Sequence, residues 1–169
     1  RIDSIELYPY RELINNGLAS VMIAHLNIPS LESQDGIPSS MSENIVTTIL
    51  KERLNFKGLI FTDALNMKGA SNYNNSADVD LAAFKAGNDM LLISENVTEG
   101  VARLVEAVEN GEITEERLAH SVKKVLQAKY KVGLNKYKPI GTYNLVEDLN
   151  RLEDDILYEE LIENALTVV

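Results

Sequence analysis

Three short apolar runs constrain this 169-residue chain more than any other feature. Ser20 to Leu26, Gly58 to Leu65 and Asn88 to Ser94 are rich in Val, Ile, Leu and Met and carry no polar alternation. A strand with one solvated face alternates polar with apolar residues, so unbroken runs of this length predict strands buried on both faces, as in a parallel sheet. Helical patterns separate them. Ser40-Met41-Ser42-Glu43 has capping-box spacing ahead of Ile45, Val46, Ile49, Leu50 and Leu54, an apolar stripe at helical period. Asp78 and Asp80 precede Leu81, Ala82 and Phe84, with Gly87 placed to stop that helix. Thr98 to Val108 predicts another helix, closed by Asn110-Gly111, and Thr114 is positioned to cap one that runs to about Val132 before Gly133. A helix over residues 5–16, ending at Gly17, precedes the first strand.

Strands alternating with helices at this spacing predict an α/β fold, a parallel sheet with right-handed crossovers, either a barrel or a doubly wound layer. Three strands do not close a barrel. A (β/α)8 TIM-type barrel takes about 250 residues, so if the sheet is a barrel, residues 1–136 are expected to be its C-terminal portion. Residues 137–152 carry Pro, Gly, Tyr and scattered acids without a period and read as a linker. Glu153 to Leu166 then reads as a helix entering a new strand at Thr167, so 137–169 is expected to be linker and the start of a second domain. Arg1 opens without methionine and Val169 closes inside an apolar run, which leads us to expect a segment of something longer.

The charge balance narrows the partners. A net charge of -10 with a pI near 4.7, and no Lys/Arg cluster interleaved with aromatics, argues against nucleic acid. Neutral or cationic small substrates fit better. No apolar run reaches membrane-spanning length, and the absence of cysteine removes disulfides and thiolate metal sites without fixing a compartment.

In either parallel architecture the active site lies at the carboxyl ends of the strands, so the polar residue that closes the apolar stretch within each run is a candidate. These are His25, Asp63 and Ser94. A carboxylate there must be solvated, paired or bound to ligand, because an unpaired buried ion costs several kcal/mol. Position alone does not separate a catalytic Asp63 from one that caps the turn over Asn66 to Ala70. His25, in the neighbouring unit, is placed to hydrogen-bond that carboxylate, a substrate hydroxyl or a loop carbonyl. His120 lies in a long amphipathic helix and reads as structural. The sequence holds no GxGxxG after a strand, no P-loop, no HExxH and no second histidine to complete a metal site, so neither cofactor nor metal is expected. Asp78 and Asp80 read as acids serving a helix dipole, and Glu153, Asp154, Asp155, Glu159 and Glu160 as a solvated helix face.

Gly58-Leu-Ile-Phe-Thr-Asp-Ala-Leu-Asn-Met-Lys-Gly69 resembles the nucleophile segment of family 3 glycoside hydrolases, in particular the β-N-acetylhexosaminidase branch. Ser20-Val-Met-Ile-Ala-His25 resembles the preceding barrel strand, Ile49 to Gly58 the helix and turn that deliver the nucleophile strand, and Ala86 to Leu92 the last barrel strand. Leu161 to Val169 resembles the entry to the family's second, α/β sandwich domain. The resemblance implies that Asp63 attacks the anomeric carbon and forms a glycosyl-enzyme that water hydrolyses with retention. A retaining mechanism asks for a proton donor roughly 5 to 5.5 Å from the nucleophile. In this branch the donor belongs to a His-Asp pair on a loop upstream of residues 20–26; no such motif occurs here, and Arg1 to Ala19 resemble the helix after that loop. The acid/base is therefore expected outside this segment, in an N-terminal barrel part that the chain needs as partner.

His25, Met67 and Ser94 take substrate-binding or nucleophile-orienting roles by the same resemblance. Asp63-Ala-Leu-Asn-Met67 looks like the N-acetylglucosaminidase pattern rather than the Trp-bearing glucosidase one, which implies β-linked N-acetylglucosamine in peptidoglycan or its fragments. Multidomain members are often exported, so the lean is to a periplasmic or secreted parent, with the cytoplasm as alternative. Competing readings are a β-glucosidase of the same family, a non-catalytic sugar-binding or scaffold barrel, and an aspartyl phosphohydrolase. The last needs a second acid two residues after the nucleophile, where Leu65 stands.

Overall fold

In the computed structural model, which describes residues 1–167, β1 (Ser20–Ile23), β2 (Leu59–Ala64) and β3 (Met90–Leu92) form a parallel sheet in the order β1-β2-β3. β1 runs level with β2 from Ser20 opposite Leu59 to Ile23 opposite Thr62. On the other side Phe61 faces Met90 and Ala64 faces Leu92, with a slip between them. All three strands are shorter than the runs that predict them. β3 stops because Ile93 takes a φ of +46°, a left-handed conformation costly for a β-branched residue, which turns the chain out of the ladder.

Within this chain one face of the sheet is covered. Val21, Ile23, Ile60 and Thr62 are buried, whereas Met22, on the opposite face of β1, is 57% exposed. Helices pack on one side of the sheet, so alternate residues are covered although every position in the run is apolar.

That covered side is built in sequence order. α1 (Tyr8–Asn15), preceded by a π-helical turn over Ile2–Glu6, leads through Gly17 into β1. Between β1 and β2 lies the π-helix Asn44–Arg53, which places Val46, Ile49 and Leu50 against Val21, Ile23 and Ile60. Its β-branched stretch Ile45-Val46-Thr47-Thr48-Ile49 is poor in α-helical propensity. The capping box is displaced from its expected place. Ser42, not Ser40, accepts from the Ile45 N–H, and Ser40 is fully buried for another purpose.

After β2, the short α2 (Lys68–Ser71) and α3 (Ser76–Ala86) return the chain to β3. Asn75 caps α3 through the Asp78 N–H, and Gly87 ends it. α4 (Val97–Glu109) and α5 (Glu115–Lys131) follow, capped by Asn96 and Thr114. Leu81 and Phe84 of α3 meet Ala107 of α4 and Ile113 in a cluster of their own.

The chain divides into two units, Arg1–Val132 and Gly133–Val169. The second holds α6 (Leu145–Leu149), inside the stretch expected to be linker, and α7 (Leu152–Ala165), whose acids Glu153, Asp154, Asp155, Glu159 and Glu160 are exposed. The strand expected from Thr167 onward falls on Val168 and Val169, which lie outside the described residues. No helix among the described residues is long and apolar enough to cross a membrane.

Candidate active site

β2 is the central strand, and Asp63 stands one residue before its end. Its side chain is partly exposed at the carboxyl end of the sheet, and Oδ1 accepts the Ala64 N–H at 2.8 Å. The capping role that position had left open is filled by other groups. The N–H of Leu65 bonds to Leu92 O, that of Asn66 to Ile93 O and that of Met67 to Ala64 O, and α2 begins without a side-chain cap. Asp63 forms no ion pair among the described residues. Its carboxylate is held by one backbone donor and otherwise open.

His25, two residues beyond β1, reaches the same level. It does not bond the Asp63 carboxylate. Nε2 lies 3.0 Å from Ala64 O and Nδ1 lies 2.6 Å from Ser40 Oγ. A carbonyl only accepts, so Nε2 carries the proton and, in the neutral ring, Nδ1 accepts from the Ser40 hydroxyl. Ser40 is in turn fixed through its carbonyl, which accepts from the buried Asn88 amide at 2.7 Å. This chain ties β1, the residue after Asp63 and the start of β3 together. The turn must come close for it to form, and Gly69 permits that: a Cβ there would lie 3.0 Å from His25 Cβ and 3.2 Å from His25 O.

Ser94 engages a different partner. Its hydroxyl donates to Asp80 Oδ2 at 2.6 Å. Asp80 is only 3% exposed, and burial pushes its carboxyl above the ordinary range, with the Ser94 bond opposing. Its carboxyl is thus taken up by Ser94 and not given to the dipole of α3 as expected; Asp78 is the outward acid of the pair, bonded to Arg103. Met67, 48% exposed, lies on the turn that follows Asp63 and shares Ala64 O with His25. Ser40 and Asp80 are the residues that sequence reasoning missed in this role. Both contacts are made across elements far apart in the chain, so no spacing rule announces them. No group of three or more His, Asp or Glu arranged to hold a metal occurs among the described residues.

Comparison with known proteins agrees with this architecture. The chain is 28% identical over 168 residues to the β-N-acetylglucosaminidase/β-glucosidase of Cellulomonas fimi, covering 95% of this chain and 30% of that protein. It is 39% identical over 105 residues to the β-hexosaminidase of Methylococcus capsulatus, covering 62% of this chain and 30% of that one. It thus spans about 30% of the length of these curated relatives. The solved family 3 β-N-acetylglucosaminidase from Paenibacillus sp. superposes with a TM-score of 0.78 at 31% identity, over 83% of this chain and 27% of that structure. The parallel βα units described above are thus part of a TIM barrel. Residues 1–128 match the glycosyl hydrolase family 3 N-terminal domain, and the chain belongs to that family.

Proposed function

We propose that residues 1–136 form the C-terminal part of the catalytic barrel of a retaining β-N-acetylglucosaminidase, with Asp63 as its nucleophile. The observation that carries this reading is the Asp63 carboxylate itself: at the end of the central strand, anchored by one N–H, unpaired, and relieved of any capping duty. Asp63 attacks the anomeric carbon, the glycosidic oxygen leaves with a proton from an acid outside this segment, and water then cleaves the glycosyl-enzyme with the same group acting as base. His25 positions the nucleophile through the backbone of Ala64, and Met67 and Ser94 border the sugar. Residues 137–169 lead to a second α/β domain.

Peptidoglycan or its fragments, as a source of β-linked N-acetylglucosamine, is the substrate class we assign. The names carried by the relatives support the N-acetylglucosaminide over other glycosides. The Cellulomonas relative carries both names, so cleavage of β-glucosides is the second reading.

The test is covalent trapping on the complete protein. A fluorinated N-acetylglucosaminyl fluoride that forms the intermediate faster than water clears it is expected to label the peptide containing Asp63, as read by mass spectrometry. A label elsewhere, or none in an active preparation, overturns the assignment. Comparing turnover of aryl β-N-acetylglucosaminide and aryl β-glucoside separates the two substrates.

A further inference from the structure

The end of the sheet opposite Asp63 holds a concentration of positive charge that the proposed chemistry does not use. A cavity of about 350 Å³ is lined by Lys51 of the π-helix, Phe56 and Lys57 of the turn entering β2, and His120, Lys123, Lys124 and Gln127 of α5. Four lysines line one concavity in a chain whose net charge is -10. No carboxylate lines it.

The nearest countercharge is already spent. Asp89 has no exposed side-chain surface; Lys124 and Ser121 donate to it, and so does the Ile60 N–H. Lys51, Lys57 and Lys123 form no ion pair among the described residues. Lys51 bears the cost of this arrangement. Burial, followed by repulsion from Arg117 and then Lys124, with Asp89 opposing, pulls its ammonium down to about 8. Gly87, at a φ of +124°, leaves the room this lysine occupies, since a Cβ there would lie 2.7 Å from Lys51 Nζ. Unpaired ammonium groups that converge on a concave site match the multiple acceptor oxygens of a small dianion. An exposed lysine face without such convergence does not.

We propose that this cavity binds a phosphate dianion, free or borne on a small sugar, between Lys51, Lys57 and Lys123, with His120 at its rim and Phe56 as an apolar floor. The inference is independent of the catalytic assignment, since none of these residues lies at the carboxyl ends of the strands.

The experiment is calorimetric titration of the full-length protein with inorganic phosphate and with a hexose 6-phosphate, each against sodium chloride at matched ionic strength. Saturable one-to-one binding is expected. Lys51→Met and Lys123→Met are each expected to weaken it at least about tenfold, the scale of one lost hydrogen bond to a charged group. Lys129→Met, an exposed change on the same helix outside the cavity, is expected to leave it unchanged. Should Lys51→Met unfold, the exposed pair Lys57→Met and Lys123→Met carries the test, with circular dichroism reporting the fold. Tighter binding of the hexose phosphate identifies a phosphorylated sugar as the ligand, and equal binding identifies phosphate itself. The absence of saturable heat with both, or binding indifferent to the lysine variants, overturns the proposal.

Discussion

His25 donates from Nε2 to the carbonyl oxygen of Ala64 at 3.0 Å, so the residue that follows Asp63 is held from the neighbouring strand rather than by its own turn alone. The same oxygen receives the Met67 N–H, and Oδ1 of Asp63 takes the Ala64 N–H. The two adjacent peptide units that flank the Ala64 Cα are thereby held, and the Asp63 carboxylate bonded to the first of them inherits that order. A nucleophile gains from such rigidity because its approach is set before substrate arrives.

Asp63→Asn is expected to abolish turnover of an aryl β-N-acetylglucosaminide by the complete protein while leaving thermal unfolding nearly unchanged, since the amide oxygen still accepts from Ala64. Residual activity within about tenfold of the parent, a difference of only about 1.4 kcal/mol in barrier, would contradict the assignment.

Ser40→Ala removes the hydroxyl that meets His25 Nδ1 and leaves in place the Ala64 carbonyl that requires a proton on Nε2. The nitrogen chemical shifts of His25 are expected to show the Nε2–H form in both parent and variant, with only the Nδ1 shift moved by loss of its donor. Leaving a partly buried imidazole nitrogen without a donor costs about 1 kcal/mol, measurable by urea unfolding. A switch of the variant to the Nδ1–H form would mean that Ser40, not the Ala64 carbonyl, sets the tautomer.

Acid should weaken the fold through Asp89. Burial alone would raise this carboxyl, yet the Lys124 and Ser121 hydrogen bonds, the Lys124 charge and the Ile60 N–H together hold it below its ordinary value of 3.8. A depressed folded value means the contribution is complete above the unfolded value and disappears as pH falls through the folded one. Urea midpoints are expected to decline below about pH 4, and Asp89→Asn to flatten that limb. At neutral pH the same variant strands Lys124 and Arg117 and is expected to cost about 3–5 kcal/mol.

The 169 residues alone are expected to self-associate and to lack activity. The outer edges of β1 and β3 pair with no strand among the described residues, and Met22 and Ile93 are each 57% exposed. Unpaired strand edges beside apolar surface template association with further chains. Light scattering that finds a monodisperse, cooperatively folding and active species would refute this.

The sequence by itself determined the order of elements, because hydrophobic period, caps and glycines act within a few residues. Asn110-Gly111, Thr114 and Gly133 mark helix ends where the structure has them, and Gly58 to Leu65 brackets β2. It also determined that a histidine, a carboxylate and a serine close the apolar stretches of the three runs. Tertiary structure decided which groups those side chains meet. Ser40 reads locally as a helix cap, and only the approach of β1 to the loop beneath it turns its hydroxyl to His25. Asp80 reads as an acid serving the helix dipole, and the packing of α3 buries it against Ser94. The uninterrupted apolar pattern of β1 reads as burial on both faces; within this chain helices cover one of them and Met22 lies on the other. For Asp63 the alternatives were a capping acid and a free carboxylate, and those differ only in where the next four N–H groups go. The carbonyls of Leu92 and Ile93, on the adjacent strand and its turn, take two of them, a long-range pairing that no local pattern encodes.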